Sequence, residues 1–121
     1  MENKKDIKKR TYSLAINCIN FIDVLNKKDL GVQVISRQLL RSITSIGANF
    51  IEAQAGSTKR DFTNYFNHSL KSANESKFWL ELLRDAKKAN QEKAEQLLKE
   101  VTEIANILAS SILTLKGKKK F

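Results

Sequence analysis

The sequence predicts an all-α protein, an antiparallel up-down-up-down four-helix bundle, and three observations carry that expectation. The 121 residues include no proline and four glycines, so turn-rich β folds lack the residues their turns require. Apolar residues recur at alternating steps of three and four through most of the chain, the period of one helix face. That period breaks at three short polar or glycine-bearing places, near residues 27–30, 55–58 and 89–91. Connections this short force consecutive helices to run antiparallel. A three-helix array with one long kinked helix is the alternative that the same pattern allows. The length is that of a single domain, residues 1–121.

Helix one is expected over about 4–27, with Ile7, Thr11, Leu14, Cys18, Phe21 and Leu25 along its seam. A polar turn, Asn26 to Leu30, follows, and Asp29 is placed to cap the next helix. Helix two, about 30–54, carries two apolar lines: Leu39, Ile43, Ile46 and Phe50 on one, and Leu40, Gly47 and Ile51 on the other. So wide a stripe implies burial against more than one neighbour. Gly56 is expected to supply a left-handed exit. Helix three, about 58–89, is capped by Ser57 or Thr58, with Asp61 in its first turn. Its seam is Phe62, Phe66, Ser69, Ala73, Ser76, Leu80 and Leu83, small in the middle, where a neighbour can approach closely. A second line holds Tyr65, Ser72, Glu75, Trp79 and Leu82. Helix four, about 91–115, starts from Asn90 as cap and presents Ala94, Leu97, Val101, Ile104, Leu108, Ser111 and Leu115. The basic tail 116–121 is expected to fray.

Composition excludes several function classes. The apolar runs fall short of the roughly 20 residues that span a bilayer, so no membrane association is expected. Tyr12 to Leu25 after a basic start is a poor signal peptide, because Asn17, Asn20 and Asp23 interrupt it. One cysteine rules out an internal disulfide and fits a reducing cytoplasm. His68 is the single histidine, and position 65, three before it, is tyrosine rather than the glutamate a di-iron bundle uses. Cys18 lies on the helix-one seam and reads as a small core residue. No glycine-rich phosphate cradle accompanies Gly47. We therefore expect no catalytic residue, no metal site and no cofactor.

Two stretches are too particular for a generic amphipathic helix: Gln38-Leu-Leu-Arg-Ser-Ile-Thr-Ser-Ile-Gly-Ala-Asn-Phe-Ile-Glu-Ala53 and Lys71-Ser-Ala-Asn-Glu-Ser-Lys-Phe-Trp-Leu-Glu-Leu-Leu83. On these the chain resembles the bacterial four-helix-bundle proteins encoded in intervening sequences of 23S ribosomal RNA genes, relatives of accessory proteins of diversity-generating retroelements. The resemblance spans nearly the whole chain and implies the same fold. It also implies a homopentameric barrel, and a role beside a reverse transcriptase and its nucleic acid.

Glu75 shares a line with Tyr65, Ser72, Trp79 and Leu82, a poor place for a charge without a partner. If helices two and three turn about Gly56, position 37 faces position 75, so Arg37 or Arg41, one turn apart, is its expected partner in a buried, register-setting pair. Trp79 and its neighbour Phe78 must point in different directions, one toward the core and one toward a neighbouring subunit.

The formal net charge is +9, and the topology concentrates it. Both termini and the turn between helices two and three share one end of the bundle. That end collects Lys4, Lys5, Lys8, Lys9, Arg10, Lys59, Arg60, Lys116, Lys118, Lys119 and Lys120, against Glu2, Asp6, Glu52 and Asp61. Three separate segments converging on one pole is the footprint of a polyanion binder, RNA or DNA. The competing reading is a structural or adaptor protein whose oligomer holds a protein partner, its lysines serving solubility.

Overall fold

The computed structural model describes residues 6–117, and over them the chain folds as four helices: α1 (Ile7–Asp23), α2 (Leu30–Ala55), α3 (Lys59–Asp85) and α4 (Gln91–Gly117). No strand occurs among the described residues. The packing order is α1 against α2, α2 against α3, α3 against α4, and α4 back against α1, which closes the up-down-up-down bundle. No helix among the described residues is long and apolar enough to cross a membrane.

Each helix buries the stripe its period dictates. From α1 come Ile7, Thr11, Leu14, Cys18 and Phe21; from α2, Leu39, Ile43, Ile46 and Phe50; from α3, Phe66, Ser69, Ala73, Ser76, Leu80 and Leu83; from α4, Ala94, Leu97, Val101, Ile104, Leu108 and Ser111. Phe62 is half-buried and stacks on Phe66, ring centroids 4.6 Å apart. The second lines behave differently. Leu40 and Ile51 on α2, and Leu82 on α3, stay exposed in the isolated chain.

The α2–α3 seam is closed by small residues and hydroxyls. Ser69 Oγ donates to the Ile46 carbonyl at 2.7 Å. Ser42 and Ser76 face each other, Oγ to Oγ 2.9 Å, and each also lies within reach of a carbonyl of its own helix, Leu39 and Ser72. Buried hydroxyls satisfied in this way avoid the desolvation penalty of an orphaned group while letting the two backbones approach. Ser36 Oγ is buried without such a partner among the described residues.

The helix ends show where local chemistry and periodicity part. Asp29 caps α2, its carboxylate accepting from the Val32 N–H at 3.0 Å. Thr58 caps α3, accepting from Asp61 N–H at 3.0 Å. Asn90 Oδ1 accepts from Lys93 N–H at 2.9 Å at the start of α4. α1 stops at Asp23 rather than near Lys27, because the Asn26 side chain accepts from Lys28 N–H and its carbonyl from Asp29 N–H, folding 26–29 into a turn. α3 stops at Asp85 rather than Ala89. Lys88 N–H reaches the Leu83 carbonyl at 2.9 Å and Lys87 N–H the Arg84 carbonyl at 3.1 Å, a Schellman exit with Lys87 at φ 60°.

The left-handed exit is thus at Lys87. Gly56, expected to provide one, sits at φ −63°, ψ 138°, ordinary extended backbone. Its lack of a side chain matters for another reason: a Cβ there would come within 3.2 Å of the Ala53 carbonyl and 3.3 Å of the Asp61 Cβ. α4 also continues through Lys116 and Gly117, which were expected to belong to the tail. The expected helix start at Lys4 and the tail from residue 118 onward lie outside the described residues.

Candidate nucleic-acid interface

The start of α1, the end of α2, the start of α3 and the end of α4 meet at one pole. An open, largely apolar cleft of about 610 Å³ there is lined by Ile7 and Lys8 from α1, Phe50 and Gln54 from α2, Phe62 and Phe66 from α3, and Thr114 and Leu115 from α4. Lys8, Lys9, Lys59, Arg60 and Lys116 are all exposed on these segments, and among the described residues none has an acid within ion-pair distance. Lys59 and Arg60 occupy the first turn of α3, where positive charge opposes the helix dipole. Helix stability does not explain their placement. Asp61 in the same turn offsets part of the cost. Lys4, Lys5, Lys118, Lys119 and Lys120 lie outside the described residues.

Arg10 leaves this set. Its guanidinium reaches across to α4, donating from Nε and Nη2 to Glu100 at 2.9 and 2.7 Å and from Nη2 to Glu103 at 2.9 Å. The Glu100 contact, then the Glu103 contact, holds its pKa above the usual arginine value against a partial loss of solvent. The group is a clasp between α1 and α4, and its charge is neutralised by two carboxylates. Sequence spacing did not reveal this, because the partners lie some ninety positions away.

Glu75 is joined by Arg41, which also bonds Gln38, and by the Trp79 indole N–H at 3.1 Å. The expected burial does not hold in the isolated chain: the Arg41 side chain is 59% exposed and that of Glu75 35%. Arg37 is exposed and has no ion-pair partner among the described residues. The cluster therefore lies on the outer side of the α2–α3 hairpin, where Trp79 is half-buried and Phe78 is exposed beside it, the rings edge-on with centroids 4.9 Å apart.

His68 is exposed, its ring edge-on to Tyr65 at 6.2 Å. Cys18 is fully buried, and burial pushes its thiol pKa up to about 12, so it stays protonated and poorly nucleophilic. Among the described residues, no three His, Cys, Asp or Glu side chains gather as a metal site would require.

One residue escaped the sequence reading. Tyr12 is 70% exposed, one helical turn beyond Lys8 and Lys9, and forms a wall of a second cleft of about 630 Å³ between α1 and α2. Its spacing of three and four from two lysines is the available signal.

Comparison with known proteins gives matches over most of the chain. A model of the family of 23S rRNA-intervening sequence proteins matches residues 3–110. A crystal structure from Bacteroides thetaiotaomicron, of a protein of unknown function in the S23 ribosomal protein family, superposes with a TM-score of 0.81 at 38% sequence identity, covering 88% of this chain and 97% of that one. Among curated proteins, none matches.

Proposed function

Because the chain belongs to the 23S rRNA-intervening sequence protein family, we propose that it is a non-enzymatic, homo-oligomeric module that binds RNA or DNA through phosphates at its basic pole. The observation that supports this reading is the set Lys8, Lys9, Lys59, Arg60 and Lys116: exposed, unpaired among the described residues, and drawn from three separate segments onto one end of the bundle. Four of the five, Lys8 and Lys9 on α1 and Lys59 and Arg60 on α3, stand in a helix first turn, where they cost rather than add stability. Phosphate recognition by lysines positions a protein on a strand without reading its sequence.

The oligomer is supported by apolar side chains left exposed on the isolated chain, among them Leu40, Phe78 and Leu82 on α2 and α3. A pentamer is the state the family resemblance implies, and repeating the pole in every subunit adds weak contacts through avidity. Light scattering at micromolar concentration tests this, a particle of 13.8 kDa being the contrary result.

Binding to labelled RNA and DNA as a function of salt is the functional test. Affinity falls with a log–log slope of about −0.9 per phosphate contact on duplex DNA. Replacing Lys8, Lys9, Lys59 and Arg60 with Ser flattens that slope and weakens all sequences alike. If the unmodified protein binds neither polymer at low salt, the adaptor reading takes its place.

A further inference from the structure

We propose that the cleft between α1 and α2 is a nucleobase slot, so that the basic pole takes single-stranded nucleic acid in preference to duplex. The inference rests on the phosphate-binding reading and adds the ligand's strand state and the residue that recognises it.

The slot has three parts. Its walls are Tyr12, 70% exposed, and Ile51, 50% exposed, one from each helix. Its floor is Gly47 and Ala48, where side chains are absent or minimal. α1 comes so close here that a Cβ on Gly47 would lie 3.1 Å from the Thr11 Cβ. Its mouth carries Lys8 and Lys9, one turn nearer the pole. The cleft's volume admits a flat, largely apolar ring, and Lys8 and Lys9 on the same lining are the groups that would meet a phosphate attached to it. At about 630 Å³ the cleft falls within the usual range of ligand pockets, about 300–1,000 Å³.

Charge complementarity selects this occupant over an uncharged apolar segment. Two lysines face one acid, Asp6, on the cleft, so a purely apolar partner would strand or dilute those charges. An unpaired base answers both halves of the site, since stacking on an aromatic side chain tolerates any base and the backbone supplies the anion. In a duplex the base faces are stacked internally and cannot reach Tyr12. The phosphates remain available to the pole, and that difference makes the slot separable from the lysines by experiment.

The test is fluorescence anisotropy with labelled 20-nucleotide single strands of RNA and DNA and the matching duplexes, at low salt, for the wild type, Tyr12→Ala and Tyr12→Phe. Tyr12 is exposed, so both variants fold, which thermal melting by circular dichroism checks. Loss of one stacked base predicts single-strand affinity lowered on the order of ten-fold in Tyr12→Ala, retained in Tyr12→Phe, with duplex affinity nearly unchanged. Equal single-strand binding by wild type and Tyr12→Ala overturns the slot and leaves the phosphate reading standing. Absence of binding by the wild type overturns both. A changed subunit count in Tyr12→Ala without selective loss of single strands also overturns it, and marks the cleft as a contact between copies.

Discussion

The α2–α3 hairpin and helix α1 are held to the bundle in different ways. The hairpin closes on small residues and hydroxyls, with Ser69 bonded to the Ile46 carbonyl and Ser42 set against Ser76, and Ala73 is fully buried between them. α1 is shorter and packs less extensively on its neighbours. A cleft lies along each flank: the slot beside α2, and a groove of about 350 Å³ lined by Leu14 and Phe21 of α1, Val24 just past its end, and Leu97 and Glu100 of α4. Large apolar residues and one ionic clasp, Arg10 with Glu100 and Glu103, hold it. Close packing gives the hairpin stiffness. The two clefts flank α1, the less extensively packed helix.

The sharpest way to break this comparison is to cut equal holes on the two sides. Leu80 and Leu14 are both essentially inaccessible. Truncation to Ala costs about 2–5 kcal/mol in a core, the value depending on how well the site collapses. We expect Leu80→Ala near the upper end and Leu14→Ala near the lower, read from urea midpoints. Equal losses would show α1 to be as rigidly packed as the hairpin.

Gly47→Ala probes a place where α1 and α2 approach closely. A methyl group there meets Thr11 Oγ1 at 2.9 Å and its Cβ at 3.1 Å. Relief of a mid-helix glycine favours the change by about 1 kcal/mol, but forcing α1 outward costs more. A net loss of about 1–3 kcal/mol is expected, partly recovered by adding Thr11→Ala.

Arg10→Ala removes the clasp. Partly buried hydrogen bonds to charged groups and screened ion pairs together suggest a loss of about 1–2 kcal/mol. Hydrogen exchange should quicken in α1 before α2 and α3, and uniform acceleration would contradict a separately seated helix.

The smallest effect belongs to Glu75→Gln. With Arg41 mostly exposed, the pair is worth about 0.2–1 kcal/mol in the single subunit. A much larger loss, dependent on protein concentration, would place the Arg41–Glu75–Trp79 cluster inside a subunit contact and would support the oligomer.

Much of the fold was legible because local rules act over one turn. The apolar period marked the seam residues of all four helices, and the caps Asp29, Thr58 and Asn90 followed from their side chains' ability to take an N–H one turn on. The helix ends were less legible. Gly56 invited a left-handed exit that the chain makes at Lys87, because exit geometry depends on how the next helix docks and a lysine can adopt αL for about 1–2 kcal/mol.

The candidate site divides along the same line. By itself the sequence determined that lysines from separated segments would share a pole, since an antiparallel bundle leaves no other arrangement. The tertiary structure decided which of them remain available: Arg10 turned to Glu100 and Glu103 of α4, partners that no periodicity relates to it. It decided that the Glu75 cluster faces outward, because hairpin register fixes which residues are opposite but not how deeply they lie. It alone placed Tyr12 and Gly47 on one cleft across two helices, since a cleft is made by the gap between packed elements and not by either element's own residues.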